Sequence, residues 1–231
     1  FPKIMENPNP NGIVAVYDPI EPFNRRVYNF NYSFDKYVFL PVVSGYQYVT
    51  PDVVENRVTN FFSNLREIPY LINNLLQFEL KDSGITTARF LINSTAGVLG
   101  LWDVATKMDL YVRKEDFGLT LSKWGVHNGA YLVLPILGPS SLRDAGGRAF
   151  DTLSYGNLVT DGLLDLDDAN KDGARVALSL LNATDTRKNT AFRYYETGSP
   201  FEYELIRYAY IRKRMVEAEA SQNETISPGM D

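Results

Sequence analysis

The longest stretch of the chain without a charged residue, Trp124–Leu142, is interrupted repeatedly by glycine and proline. A membrane-spanning helix needs about 20 consecutive, mostly apolar residues, and glycine and proline both disfavour a helix interior. We therefore predict no spanning helix, so any contact with a bilayer must come from several amphipathic elements or from a lipid anchor. The interrupting residues are Gly125, Gly129, Pro135, Gly138 and Pro139.

Elsewhere, apolar residues recur at helical spacing, and capping residues mark where several helices begin. Only Tyr131–Leu134 has the composition of a strand. We predict an all-α fold with one short hairpin, divided into an extended lead-in (1–17), a helical body (18–198) and a C-terminal helix and tail (199–231). The predicted helices cover Pro22–Phe39, closed by Pro41; a segment from a Thr50 N-cap and Pro51 to Leu65; Ile68–Phe78; Ile85–Thr95; a helix from Ser141; Ala174–Leu181; and Ser199 to about Ala220.

Composition excludes several classes of function. The formal charge of −5 argues against a nucleic-acid partner, which would need a clustered cationic face. The absence of cysteine and the single histidine, His127, exclude thiolate nucleophiles and the common zinc sites. Asp116-Phe117-Gly118 matches a kinase tripeptide without the other kinase motifs, and no G-x-S-x-G elbow is present. We predict that the protein is not an enzyme and has no cofactor or metal.

One acidic stretch leaves an alternative open. Asp168–Gly173 fits the first half of an EF-hand loop, but Ser179 occupies the twelfth position, where a bidentate glutamate should close the calcium cage. We favour the alternative that these acidic residues form the first turn of the following helix, where they complement its dipole.

Two groups of residues are candidates for handling lipid. Asn73, Asn74 and Gln77 give Ile68–Phe78 a polar but uncharged face, as expected beside hydrocarbon or along a lipid path. The alternative is a helix buried on both sides, with these amides hydrogen-bonded in the core. Gly125 and Gly129, with His127 between them, predict a hinge for a gating hairpin, although a static buried loop is the commoner use of such glycines.

The segment Asp18–Asn31 resembles the opening signature of the MlaA (VacJ) family, which are lipoproteins of the Gram-negative outer membrane. Further segments resemble the family in the same order, namely Asn60–Leu65, Asn74–Gln77, Arg89–Gly97, Gly100–Ala105, Asp116–Leu121, Trp124–Val126 and Tyr131–Asp144. The signature residues are Asp18, Pro19, Glu21, Phe23, Asn24, Arg25, Tyr28, Asn29, Phe30 and Asn31.

The resemblance implies a ring-like assembly of amphipathic helices that lies in the outer membrane beside a trimeric porin and faces the periplasm. Its amphipathic channel would take mislocalised phospholipid from the outer leaflet and pass it to a periplasmic lipid carrier, which maintains lipid asymmetry. It also implies an anchor on an N-terminal lipidated cysteine, which would precede Phe1.

The sequence also departs from the family. The family usually has glycine at the position of His127 and proline at that of Ala130, and residues after Thr152 match only loosely. A membrane-docked scaffold that does not conduct lipid is the alternative function. An envelope hydrolase using Asp116, His127 or Asp144 is a third hypothesis, which we do not favour.

Overall fold

The computed structural model of the protein describes residues 16–156, 168–196 and 198–223, with side chains at all of these except 168–171 and 222–223. The described chain is mostly helical, and its two strands pair as one antiparallel hairpin, which confirms the predicted fold class. Most of the lead-in predicted at 1–17 lies outside the described residues. The elements are α1 (Glu21–Phe34), a π-helical turn (Asp35–Phe39), α2 (Leu40–Val49), α3 (Asp52–Leu76), α4 (Leu80–Thr95), a 3₁₀ turn (Ala105–Met108), α5 (Phe117–Lys123), β1 (Tyr131–Leu134), β2 (Gly138–Ser141), α6 (Leu142–Tyr155), α7 (Asp168–Lys188) and α8 (Glu202–Asn223).

None of the helices in these residues is both long and apolar enough to cross a membrane, as the broken apolar run predicted. The predicted strand Tyr131–Leu134 is confirmed as β1, which pairs with β2 in the register Tyr131↔Ser141 to Leu134↔Gly138. The predicted helix start at Ser141 is also confirmed, because the Ser141 hydroxyl accepts a hydrogen bond from the Asp144 amide at 3.1 Å.

Prolines lie at three of the differences between the predicted and observed helices. Pro41 does not close a helix but lies in the first turn of α2, where a missing N–H costs no hydrogen bond. Pro51, not Thr50, is the N-cap residue of α3. The two helices predicted on either side of residue 67 form one helix of 25 residues, with Pro69 inside it.

The chain clusters into two compact units. Unit 1 contains the described residues of 16–35, 117–149 and 193–223. Its core consists of Val27 and Tyr28 from α1, Tyr131 and Val133 from β1, and Tyr203 from α8. The C-terminal helix of the predicted third segment therefore belongs to unit 1, and the functional division at residue 198 stays a prediction.

Unit 2 contains the described residues of 36–116 and 150–192. Its centre is the antiparallel pair of α3 and α4, against which α7 packs. A small apolar cluster around Phe62 and Leu65 includes Tyr155 and Leu181. Otherwise the residues buried between α3 and α4 are mostly polar.

Candidate membrane and lipid-path surfaces

Two asparagines of the signature join α1 to the hairpin in unit 1. Asn24 donates to the carbonyl of Tyr131 at 3.0 Å and accepts from the amide of Val133 at 2.9 Å. Asn31, two helical turns later, donates to the carbonyl of Leu134 at 2.9 Å and accepts from the amide of Ile136 at 2.7 Å. Both side chains are buried, and they satisfy backbone groups of β1 and of the turn that follows it, as a neighbouring strand would.

The charged residues of the signature bind α8. Asp18 accepts hydrogen bonds from Tyr203 Oη at 2.6 Å and from Arg207 Nη1 at 3.0 Å. Glu21 accepts from Arg207 at 2.9 Å and from Arg25 at 2.8 Å. Arg25 also pairs with Glu204 and lies over the ring of Tyr203, 4.3 Å from its centroid.

The aromatic residues of the signature divide between core and surface. Tyr28 is buried, and its hydroxyl donates to Glu202 at 2.8 Å; burial and this carboxylate raise the pKa of Tyr28. The ring of Tyr28 packs edge-on against Tyr194, Tyr195 and Tyr203. Phe23 and Phe30 are exposed, Asn29 accepts a hydrogen bond from Tyr195, and Pro19 lies in an exposed turn before α1.

The signature therefore holds unit 1 together. The partners of its charged residues lie in α8, in the part of the chain that matches the family loosely. Sequence reasoning missed these partners. A signal was available, since Glu202, Glu204 and Arg207 provide charges complementary to those of the signature at the start of α8.

The proposed hinge follows α5. Gly125 has φ +89, and its amide bonds to the Ser122 carbonyl while the Val126 amide bonds to the Leu121 carbonyl. This pattern is a Schellman cap, so Gly125 ends α5. Gly129 has φ +69, and a Cβ there would lie 3.2 Å from Leu142 Cβ. His127, between the two glycines, is exposed.

The three amides predicted to face lipid are buried within unit 2. Asn73 donates to the Pro69 carbonyl and to Asp151 Oδ1, both at 2.9 Å. Asn74 donates to Thr86 Oγ1 at 3.1 Å, and Gln77 donates to Glu115 Oε2 at 2.9 Å. These contacts match the alternative of a helix buried on both sides, while a role of the three residues in a lipid path stays a prediction.

The contact between α3 and α4 is a polar seam, which we define by three pairs along the two helices. Asn64 donates to Ser94 at 2.9 Å, Arg89 pairs with Glu67 at 2.7 Å, and Asn74 bonds Thr86. Every buried residue of α4 is polar, whereas large apolar residues of unit 2 point outward. The outward apolar residues include Tyr48 (91% exposed), Val49, Val53, Leu75, Phe78 (85% exposed), Leu80, Leu91, Val98 and Leu99.

Two acids buried in unit 2 have raised pKa values. Burial raises the pKa of Glu67, although the hydrogen bond and charge of Arg89 act against the increase. Burial likewise raises the pKa of Glu115, against the hydrogen bond from Gln77 and the charge of Arg113. Removing the cationic or amide partner of either acid would leave a carboxylate that is expensive to keep ionised.

A buried charge cluster in unit 1 was not anticipated from sequence. Asp144 accepts hydrogen bonds from Arg143 at 2.9 Å, from Arg214 at 3.0 Å and from Tyr210 at 2.8 Å. Burial alone would raise the pKa of Asp144, but Arg214, Arg143 and Tyr210 together lower it to about 2. Asp144 is thus a structural anion that connects α6 to α8, and its oxygens are occupied by these donors.

No group of three or more histidine, cysteine, aspartate or glutamate side chains in the described residues could hold a metal ion. The calcium alternative at Asp168–Gly173 lies mainly outside this description, because the side chains of 168–171 are not described. The backbone from Asp168 onward is the beginning of α7.

Sequence comparison identifies relatives of this chain. The sequence profile described as MlaA lipoprotein matches residues 16–217. An uncharacterized protein of Rickettsia prowazekii is 43% identical over 136 residues, which are 59% of this chain and 54% of the relative. The intermembrane phospholipid transport system lipoprotein MlaA of Escherichia coli (strain K12) is 36% identical over 138 residues, 58% of this chain and 55% of the relative. The chain thus spans about half the length of the curated relatives that it matches.

A solved structure is also similar. It is described as "Structural basis for maintenance of bacterial outer membrane lipid asymmetry", and one of its chains aligns with a TM-score of 0.67 at 28% identity. The alignment covers 87% of this chain and 98% of that chain. Because the family profile covers most of its length, this protein belongs to the MlaA lipoprotein family.

Proposed function

We propose that the protein is the outer-membrane component of phospholipid transport between the two membranes of a Gram-negative envelope. It removes mislocalised phospholipid from the outer leaflet through an amphipathic path and passes it to a periplasmic carrier, which maintains lipid asymmetry. It faces the periplasm beside a trimeric porin and is held by an N-terminal lipidated cysteine. No covalent chemistry is required, so we assign no enzymatic activity.

The observation that carries this proposal is the inverted polarity of unit 2. In a protein dissolved in water, apolar residues fill the helix contact and charged residues face outward. Here the polar seam lies between α3 and α4, and residues such as Phe78 and Leu80 are exposed. Helices that pack in lipid use polar contacts to associate, because hydrocarbon gives their apolar faces no reason to turn inward.

The path for the lipid requires polar groups for the headgroup and apolar groups for the chains. We propose that Asn73, Asn74 and Gln77 contribute to its polar side, from positions where their amides are already held by hydrogen bonds. Asn74 donates to a hydroxyl rather than to a carboxylate, so its amide would exchange Thr86 for a headgroup oxygen without leaving a charge unpaired. Asn73→Leu should then lower lipid transport, and the exposed Asn56→Leu variant of the same helix serves as its control.

We further propose that Gly125 and Gly129 permit movement of the segment between them. The hairpin itself is bonded to α1 through Asn24 and Asn31, so the moving part is Val126–Asn128 rather than β1 and β2. Gly125→Asn tests this idea, because asparagine tolerates a left-handed backbone and nothing lies within 4 Å of the added Cβ. Folding should persist while transport decreases.

The function is tested by two measurements on the lipid-anchored protein. Native mass spectrometry after gentle detergent extraction should show bound phospholipid. In a Gram-negative strain that lacks its own family member, expression should lower the amount of phospholipid that an impermeant amine reagent labels on the cell surface. A protein that carries no lipid and leaves surface labelling unchanged would refute the proposal.

The alternative is a membrane-docked scaffold that does not conduct lipid. A scaffold would bind its membrane partner and would be indifferent to Gly125→Asn and Asn73→Leu. Unchanged surface phospholipid with both variants, together with retained copurification of a porin, would favour the scaffold.

A further inference from the structure

The turn that follows α4 in unit 2 presents apolar side chains outward. The segment Ala96–Trp102 contains no charged residue, and Val98, Leu99 and Trp102 are exposed, Leu99 by 71%. Gly97 and Gly100 lie against protein instead. A Cβ on Gly97 would meet the Trp102 carbonyl oxygen at 2.2 Å, and one on Gly100 would meet Asn64 Cβ at 2.6 Å. The two glycines of the turn therefore pack against the protein, while the apolar side chains of Val98 and Leu99 at the tip of the turn are exposed to the surroundings.

The backbone of the tip is strained. Val98 has φ +50 and Leu99 has φ +57, a left-handed conformation that costs roughly 1–2 kcal/mol for a residue with a β-carbon. Asparagine or glycine would adopt it more cheaply and would suit a turn in water. Valine and leucine at these positions thus keep apolar side chains at a cost in backbone energy.

The hydrogen bonds of the turn are compatible with an apolar environment for its backbone amides. Each amide from Gly97 to Trp102 donates to a carbonyl of the same segment or of the end of α4, including Leu99 to Ser94 at 2.9 Å and Gly100 to Asn93 at 2.8 Å. A turn in water needs no such completeness, because water satisfies its amides. In hydrocarbon every backbone N–H must be satisfied internally.

A cation and an indole lie at the base of the turn. The guanidinium of Arg57 is 4.6 Å from the centroid of the Trp102 ring, and Arg57 and Asn60 donate to the Leu101 carbonyl at 3.4 and 3.1 Å. Tryptophan and arginine are both suited to the headgroup level of a bilayer, where an apolar body meets a polar tip.

We propose that the turn Gly97–Trp102 inserts Val98 and Leu99 into the acyl-chain region of a phospholipid bilayer, with Trp102 and Arg57 at the headgroup level. The inference rests on the proposed membrane location. It adds which segment inserts into the bilayer, and that Val98 and Leu99 lie deeper than Trp102 and Arg57. It does not depend on whether the protein conducts lipid.

The absence of cysteine from the sequence makes a depth measurement direct. Leu99→Cys, and the exposed Lys107→Cys as a matched control in the same unit, are each labelled with a nitrobenzoxadiazole fluorophore. Vesicles of phosphatidylethanolamine with phosphatidylglycerol are then added, and binding is measured separately by flotation. On bound protein, the label at 99 should shift to shorter wavelength and become protected from iodide, while the label at 107 stays accessible. A label at 99 that remains accessible on vesicle-bound protein overturns the inference but not the proposed membrane location, whereas failure of the protein to float overturns both.

A second variant separates insertion from a role in folding. Val98→Asn with Leu99→Asn removes the apolar tip but retains residues that accept the left-handed backbone, so thermal stability should not fall. The affinity for the vesicles should fall by about tenfold or more, because two apolar side chains lose their burial. Unchanged vesicle affinity overturns the inference and would point to a protein as the partner of this turn.

Discussion

Asn24 and Asn31 lie two turns apart on α1, and each binds one donor and one acceptor of the hairpin backbone. Asn24→Asp should destabilise the protein by about 3 kcal/mol, because an aspartate cannot donate to the Tyr131 carbonyl and would face the carboxylate of Asp18, now 2.7 Å from the Asn24 amide. Urea unfolding followed by circular dichroism measures the loss. The control is Asn29→Asp, an exposed position that would still accept from Tyr195. Equal losses in the two variants would contradict this account.

The buried pair of Arg89 and Glu67 supports a second prediction. Arg89→Leu should lower the free energy of unfolding by about 3–5 kcal/mol, because it leaves Glu67 buried without its cation. The double variant with Glu67→Leu should recover part of the loss but not all, since Arg89 also donates to Thr106 at 3.1 Å.

The pH dependence of Arg89→Leu follows from the pKa of Glu67, which burial already raises above its ordinary value of 4.5. An acid with a raised pKa in the folded state favours folding at low pH, and that contribution disappears as the pH rises through the folded pKa. Without Arg89 the pKa of Glu67 rises further, so the deficit of the variant should narrow from pH 7 toward 4.5. A deficit that is constant over this range would argue against an uncompensated carboxylate as its cause.

Asp144 has a lowered pKa, which predicts a contribution to the free energy of unfolding that depends on pH in the opposite direction. Its folded-state pKa is about 2, below the ordinary 3.8, so its ionised form stabilises the folded protein above about pH 4. This contribution, on the order of 2 kcal/mol, should disappear as the pH falls from about 4 to about 2. Asp144→Asn should flatten the stability profile in that window, whereas Asp172→Asn, whose side chain is 97% exposed, should leave it unchanged.

Gly84, near the N-terminal end of α4, and Gly97, just after its C-terminal end, should respond oppositely to alanine. In Gly97→Ala the new Cβ would lie 2.2 Å from the Trp102 carbonyl oxygen and 2.4 Å from that of Asn93, so a loss of about 3 kcal/mol is expected. Gly84→Ala, within α4 and with nothing within 4 Å, should gain about 0.5–1 kcal/mol because alanine favours a helix. Thermal unfolding of both variants measures the contrast, and a stable Gly97→Ala protein would disprove the packing at this turn.

The features of the fold that depend only on residues close together in the sequence were predictable. The helical spacing of apolar residues predicted most of α3, although as two helices, and capping signals placed the ends of α8 to within a few residues. Ser141 marked the beginning of α6 because its hydroxyl caps an amide three residues away. Pro41 was misread as closing a helix, since the sequence does not reveal whether a proline ends one helix or lies in the first turn of the next.

The sequence by itself indicated that the chain is mostly helical, and it predicted that no helix spans a membrane, as is found for the helices of the described residues. Its ordered motifs indicated the family. Only the tertiary structure showed that the signature residues Asp18 and Asn24 bind α8 and β1, more than 100 positions away. It also decided which face of α4 is buried, because the same amphipathic periodicity fits a helix with its apolar side inward or outward. The physical reason is that periodicity depends on contacts within one turn, whereas burial depends on which distant segments supply the hydrogen-bond partners.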